Sequence, residues 1–239
     1  MCEHHQTSST RRNWLLAGMS TITLAAWARR DAVAAEPVAG NAPNSIPPQE
    51  ALDRLMQGNA RYAANTRSNK DYSAGRVARV TAQYPIAAIV GCADSRVAPE
   101  LAFDQGPGDL FVVRVAGNFV NDDILASLEY GVEFLGVPLI MVLGHTHCGA
   151  VTATVKVIQE GARLPGHLPD LVRAIKPAVH RAAANHGKDL IAQATIENVK
   201  LNSDRLMVSQ PLIGQYVRRG KVKVVGGIYD LATGKVELI

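Results

Sequence analysis

Four apolar runs of strand length recur along the chain. They cover 86–91, 110–115, 138–144 and 222–230. The first and third are apolar at consecutive positions, which is typical of strands that are covered on both faces in a parallel sheet. A final stretch, "KVELI" at 235–239, follows a Thr233–Gly234 turn and is predicted to form a short antiparallel edge strand.

The segments around these runs repeat apolar residues at helical spacing. Within 121–136, Ile124 and Leu128 fall on one helical face, and Asn121 or Asp122 is suited to cap the start of the helix. Further helices are predicted over 49–64, 149–161, 168–186, 188–201 and 208–220. The pattern predicts a single α/β domain with a central, mostly parallel β-sheet of four strands plus a short antiparallel edge strand, flanked by helices.

Size and composition agree with one soluble core. The chain has 239 residues, of which 47% are hydrophobic and 19% are charged. The formal net charge of +4 comes partly from four arginines near the N-terminus, and acidic and basic residues nearly balance in the rest. No basic run with interleaved aromatic residues is present, so we expect no nucleic-acid partner. The composition does not exclude a small neutral or anionic substrate.

The first 35 residues follow a different pattern. Arg11 and Arg12 precede a short apolar stretch from 14 to 27, and small residues follow at 32–35. This order is typical of a secretory signal peptide, and the paired arginines favour the twin-arginine route. The apolar stretch is too short to span a bilayer comfortably, although an uncleaved anchor or an amphipathic helix is an alternative.

We therefore expect residues 1–35 to be a signal peptide that is cleaved near Ala34 or Ala35. The segment 36–48 is rich in proline and small residues and is predicted to be a linker, which leaves 49–239 as the folded domain. The mature protein is expected in the periplasm, without stable association with a membrane.

This interpretation changes the cysteine count. Cys2 lies in the predicted leader, so the mature chain keeps Cys92 and Cys148. In an oxidising compartment, two cysteines are open to interpretation as one disulfide. The neighbouring side chains distinguish a disulfide from a metal site. A metal site would use the neighbouring histidines as ligands, whereas a disulfide would give them no role.

Two segments that are distant in sequence bring metal-ligating side chains to one edge of the predicted sheet. Cys92 follows the first strand, and "GHTHCGA" after the third strand supplies His145, His147 and Cys148. Ligands bind beyond the carboxyl ends of the strands in open α/β sheets, and Zn²⁺ favours thiolates and imidazoles. The pattern predicts a zinc site with three protein ligands. His145 is favoured over His147, because His147 is one residue from Cys148 and would strain the chelate.

Asp94 and Arg96 extend this site. An aspartate two residues from a metal thiolate is able to orient a water on the metal, or to displace that water as a fourth ligand in a closed state. A nearby arginine is able to hold the carboxylate in a charge-assisted pair, which keeps it ionised and away from the metal. An ordinary salt bridge at a helix start is the alternative.

The stretch "CADSR", followed by "HTHC", resembles the β-class carbonic anhydrases, whose motifs are C-x-D-x-R and H-x-x-C. The intervening segments "PGDLFVVRVAGN" and "SLEYGVEFLGVPLIMVLGH" are similar to that family as well. The resemblance implies a catalytic dyad of Asp94 and Arg96. It also implies a single zinc ion per subunit, held by Cys92, His145 and Cys148.

The same resemblance implies a substrate pocket. Gln83 matches a glutamine that hydrogen-bonds substrate, and an apolar pocket for CO₂ would be lined by Phe111, Ala116 and Tyr130. In this family the pocket forms across a dimer interface, so a homodimer or a higher homo-oligomer is expected. Members that bind bicarbonate at an inhibitory second site carry a tryptophan at the position of Ile89, so we do not expect that inhibition here. Without the resemblance, Phe111 and Tyr130 would be interpreted as ordinary core aromatics.

The function implied is zinc-dependent, reversible hydration of carbon dioxide to bicarbonate and a proton. One alternative keeps the fold and the metal but hydrolyses carbonyl sulfide or carbon disulfide, and the small side chain of Ala116 would suit a wider pocket. A second alternative is a non-catalytic zinc-binding or redox module, which leaves Gln83 and the Asp94–Arg96 dyad without a role.

Overall fold

The computed structural model describes residues 42–73, 75–185 and 189–239. The predicted signal peptide and the first part of the predicted linker lie outside these residues. Five strands are present within them: β1 Ala87–Gly91, β2 Leu110–Arg114, β3 Leu139–His145, β4 Lys223–Tyr229 and β5 Val236–Leu238. The helices are α1 Pro48–Ala63, α2 Pro99–Ala102, α3 Asp122–Glu133, α4 Gly149–Glu160, α5 Leu168–Ala184, α6 Leu190–Val208 and α7 Ile213–Arg218. A short 3₁₀ helix covers Ala78–Val80.

The strands form one sheet in the order β2-β1-β3-β4-β5. The first four strands are parallel, and β5 pairs antiparallel with β4. The predicted α/β architecture, with four parallel strands and a short antiparallel edge strand, is therefore confirmed. Every residue of β1 and β3 is buried, in agreement with their continuous apolar sequence. The edge strand β2 is only half-buried along most of its length.

Helices cover both faces of the sheet. One face packs against α3, α6 and α7, where Leu128, Leu206 and Ile213 are buried with Ile140 of β3. The other face packs against α1 and α2, where Leu55 and Phe103 lie with Ile89 and Met141. A third cluster joins α4, α5 and α6 around two cysteines at the carboxyl edge of the sheet. This third cluster surrounds the predicted metal site with apolar side chains.

Helix α6 approaches the sheet closely because two glycines face it. A Cβ atom added at Gly144 of β3 would lie 2.6 Å from Val199 Cγ2, and one added at Gly226 of β4 would lie 2.7 Å from Val199 Cγ1. No real Cβ atom tolerates such distances, so both strands require glycine where α6 crosses them. The close approach brings the side chains of α6 within reach of the loop that follows β2.

Two boundaries differ from the expected ones. The sequence predicts that helix α6 ends near 201, but the helix continues to Val208. The prediction is too short because Asn202 and Ser203 are polar residues on the buried face and hide the helical pattern. Helix α7 is shorter than the predicted 208–220. The short α2, which begins at Pro99, was not predicted from the apolar pattern. None of the helices in the described part of the chain combines the length and apolarity needed to cross a bilayer.

Candidate metal centre and active site

The parallel pairing of β1 and β3 creates the site. Gly91, the last residue of β1, pairs with Leu143 of β3. Cys92 follows Gly91 directly, and His145 is the last residue of β3. Cys148 then precedes the first turn of α4 as its N-cap residue. Because parallel strands end at the same edge of the sheet, ligands from two distant segments meet there.

The three predicted zinc ligands form one compact group. The sulfur atoms of Cys92 and Cys148 are 4.0 Å apart, and the ligand atoms of Cys92, His145 and Cys148 all lie within 4.8 Å of one another. All three side chains are buried. A disulfide requires an S–S distance of about 2.05 Å, and both cysteines are free thiols here. The geometry therefore favours a metal site over the disulfide alternative.

The imidazole of His145 is oriented for metal binding. Its Nδ1 lies 2.9 Å from the carbonyl oxygen of Thr146, which fits an Nδ1–H donor and leaves the Nε2 lone pair facing the cysteines. Nε2 is buried and has no hydrogen-bond partner among the described residues. A buried nitrogen without a partner is costly, whereas a metal ion at this point would satisfy it. Two thiols and one imidazole are a donor set that fits Zn²⁺.

The electrostatics of the cluster favour a negatively charged sulfur. The hydrogen bond with Cys148, assisted by the His145 ring and the N–H of Gly117, lowers the pKa of Cys92 to about 4 despite its burial. The same hydrogen bond raises the pKa of Cys148 above its usual range. Burial alone would lower the pKa of His145, but the adjacent, negatively charged sulfur of Cys92 outweighs burial and raises it. The cluster thus attracts a cation.

Asp94 and Arg96 lie at the rim of this group and form a bidentate ion pair. Arg96 donates from Nε to Asp94 Oδ1 at 2.9 Å and from Nη2 to Asp94 Oδ2 at 2.7 Å, and its backbone N–H also binds Oδ1. This arginine holds the pKa of Asp94 well below its usual range. Asp94 Oδ2 lies 3.8 Å from His145 Nε2, so the carboxylate borders the metal position while Arg96 occupies both of its oxygens.

Arg114 is a residue that the motifs did not identify. It ends β2, and its guanidinium donates to the carbonyl oxygens of Cys92, Asp94 and Val97 at 2.8, 2.7 and 2.8 Å. One cation therefore fixes the backbone that carries both the Cys92 thiol and the Asp94 carboxylate. The only signal in the sequence is a charged residue at the end of the apolar run "LFVVRV".

The rival ligand His147 is placed differently from His145. Its backbone has a positive φ of 54°, its side chain is exposed, and its carbonyl oxygen accepts a hydrogen bond from Arg96. The ring is outside the group formed by the other three ligands. The structure therefore favours His145, as the chelate argument did.

Only one of the four predicted pocket residues lies beside the cluster. Ala116 precedes Gly117, whose N–H donates to Cys92 Sγ at 3.2 Å. Phe111 instead pairs with Ala88, four residues before Cys92, which is about 13 Å along the strand. The Tyr130 ring lies 6.4 Å from that of Phe111. Gln83 is exposed and precedes β1, at the opposite edge of the sheet. One subunit therefore does not assemble the whole predicted pocket.

Zinc content distinguishes the two histidines. We expect His145→Ala to lose most of its bound zinc, because the two cysteines are left with an incomplete ligand set, whereas His147→Ala should keep the full zinc complement. Metal analysis of both purified variants after dialysis checks this. Equal zinc loss in the two variants would contradict the assignment of His145.

Comparison with known proteins agrees with this geometry. A family model described as carbonic anhydrase matches residues 87–236. Carbonic anhydrase of Mycolicibacterium smegmatis is 41% identical over 200 residues, which cover 82% of this chain and 95% of that protein. Carbonic anhydrase 2 of Mycobacterium tuberculosis is 38% identical over 192 residues, covering 80% and 92%.

Comparison with solved structures also finds similarity to a carbonic anhydrase. The β-carbonic anhydrase CcaA matches with a TM-score of 0.60 at 30% identity, covering 78% of this chain and 94% of that one. The matched family region contains the whole Cys–His–Cys group, and these side chains are a donor set that fits Zn²⁺. The chain therefore belongs to the β-carbonic anhydrases, and it is a zinc enzyme that hydrates carbon dioxide.

Proposed function

We propose that Asp94 and Arg96 are the catalytic dyad of this carbonic anhydrase, and that the enzyme works as a homo-oligomer in the periplasm. The observation that carries the first part is the position of one charged carboxylate at the rim of a buried three-ligand cluster. Asp94 Oδ2 is close to His145 Nε2, yet Arg96 binds both oxygens of the carboxylate. This arrangement leaves a fourth zinc position for the reacting water.

Cys92, His145 and Cys148 would hold a zinc ion, which when bound would lower the pKa of a water molecule and so supply the nucleophile. Asp94 then acts as an acceptor that orients it. An ionised carboxylate only accepts hydrogen bonds, so the Asp94 carboxylate would accept one from the O–H of the nucleophile, which would leave an oxygen lone pair free to face carbon dioxide. Arg96 fixes the direction of this acceptor, because a bidentate pair allows little rotation of the carboxylate.

The pH dependence follows from these charges. Because Arg96 keeps the pKa of Asp94 well below its usual range, the carboxylate stays ionised over the working pH range and does not set the pH profile. Two thiolates donate more negative charge than imidazoles would, which weakens the acidifying effect of the metal. We therefore expect activity to rise from neutral to alkaline pH.

Stopped-flow CO₂ hydration by the zinc-loaded protein tests the dyad. We expect Asp94→Asn to lower kcat about 100-fold while zinc stays bound, because the amide presents a donor where an acceptor is needed. Asp170→Asn is the matched control, since Asp170 forms an exposed ion pair with Arg173 on α5 at 2.9 Å. A wild-type profile that is flat or falls with pH, or full activity in Asp94→Asn, would overturn the proposal.

The oligomer is supported by the residues that one subunit leaves apart. Gln83, Phe111 and Tyr130 reach a metal centre only if it belongs to a second copy of the chain. The edge strand β2 is apolar but half-buried, and the Tyr130 side chain is 42% exposed beside Phe111. Natural proteins cover such edges and patches, so a second subunit against β2 and α3 suits this surface.

Sedimentation combined with the hydration assay tests the shared pocket. We expect Tyr130→Asp to shift the protein to smaller species and to lower kcat/KM, because a charge is placed in an apolar interface. Leu168→Asp is the control: Leu168 is similarly exposed, at 47%, but lies at the start of α5. If Tyr130→Asp stays oligomeric and fully active, Tyr130 lies outside both the interface and the pocket.

The periplasmic location rests on the pattern of paired arginines, apolar stretch and small residues. The twin-arginine route carries folded proteins, so we infer that zinc is loaded before export and protects Cys92 and Cys148, whose sulfurs lie 4.0 Å apart, from oxidation. N-terminal sequencing of the exported protein should give a start near residue 35 or 36. An intact Met1, or a metal-free pool with a disulfide, would contradict this view.

A further inference from the structure

The loop between β2 and α3 passes over a zinc ligand. The N–H of Gly117 donates to Cys92 Sγ at 3.2 Å. Gly117 has a φ of +86°, and a Cβ atom at this position would lie 2.5 Å from Ile175 Cδ1. Glycine is therefore required here both for its backbone conformation and for space. The loop has no regular secondary structure to hold this amide in place.

Helix α6 supplies the missing support through two buried asparagines and one exposed arginine. Asn198 Nδ2 donates to the carbonyl oxygen of Gly117 at 2.8 Å. One turn later, Asn202 Oδ1 accepts the N–H of Val120 at 2.7 Å, and Arg205 donates to the carbonyl oxygen of Val120 at 2.6 Å. Asn202 also donates to the carbonyl oxygen of Asn198 at 2.7 Å. Three side chains on one helix stripe thus bind three backbone groups of the loop.

Burying these polar side chains lowers the stability of the fold unless each of them finds hydrogen-bond partners. Asn198 and Asn202 are 1% and 7% exposed, and a buried amide without partners costs free energy that its hydrogen bonds must offset. Their bonds go to the loop that carries Gly117. The buried stripe therefore restrains the residue whose N–H contacts the metal thiolate.

We propose that Asn198, with support from Asn202, is a positioning residue for the zinc site: it holds Gly117 so that its N–H stays on the sulfur of Cys92. The inference rests on Cys92 being a zinc ligand. An N–H donor withdraws charge from a metal thiolate, which reduces electron donation to the metal and stabilises the ligand in place. Helix α6 thereby affects electron donation from Cys92 to the metal without contacting the metal itself.

Cobalt substitution and zinc release test this role. In Asn198→Leu, we expect the sulfur-to-cobalt charge-transfer band to move to longer wavelength, because the sulfur is more electron-rich without its donor. Release of zinc to a chelator should be about 10-fold faster, a typical effect of changing a partner of a metal ligand.

Asn59→Leu is the matched control. Asn59 is also a buried asparagine, 3% exposed, and it binds the carbonyl oxygens of Ala102 and Gly234 and the N–H of Val236, away from the metal ligands. It should lower the unfolding temperature while leaving the cobalt band and zinc release as in the wild type. If Asn198→Leu behaves in the same way, with lower stability but unchanged band and release, the proposal is wrong.

A milder variant covers the case in which Asn198→Leu does not fold. Asn198→Ala removes the donor to Gly117 without introducing a buried charge or a branched side chain, so a band shift in the same direction is expected, and no shift would overturn the proposal. A wild-type cobalt protein without any thiolate band would instead contradict the assignment of the cysteines as metal ligands. The two failures are therefore distinguishable.

Discussion

The parallel pairing of β1 with β3 is the constraint on which the active site depends. It aligns the carboxyl ends of two strands that are separated by about fifty residues of chain, so that Cys92 and His145 emerge at the same edge. A slip of one residue in this register would turn every side chain of the shifted strand to the other face of the sheet and separate the ligands. The complete burial of both strands fixes the register, because their apolar side chains contact helices on both faces.

The alignment of β1 with β3 also brings the charged and metal-binding side chains together at the carboxyl edge of the sheet. The cluster of two thiols and one imidazole is buried and attracts a cation, while the single carboxylate beside it is paired with Arg96. Arg114 acts on the backbone rather than on a charge, since it binds three carbonyl oxygens of the loop after β1. Separate interactions thus fix the three buried side chains, the carboxylate and the backbone that carries them, so that Asp94 lies beside the Cys–His–Cys group while Arg96 binds both of its oxygens.

The parts that sequence predicts well are those with a local pattern. Continuous apolar runs identify β1 and β3, and the spacing of Cys92, Asp94 and Arg96 identifies the chemistry that follows β1. Arg114 and Asn198 were missed because they act through hydrogen bonds to distant backbone, and Asn198 is 81 residues from Gly117. Two further buried polar residues, Asn202 and Ser203, concealed the end of α6. Gln83 and Tyr130 are assigned to the pocket only through the resemblance, because no local pattern in the sequence points to them.

X-ray absorption at the zinc edge of the purified protein tests the central claim most directly. We expect two sulfur neighbours at about 2.3 Å, one imidazole nitrogen at about 2.0–2.1 Å and one further light atom, as in a site with an open fourth position. The sulfur contribution should fall by half in Cys148→Ser if that protein still binds zinc. A zinc shell made only of nitrogen and oxygen would contradict the assignment of Cys92 and Cys148, and with it the mechanism built on this edge of the sheet.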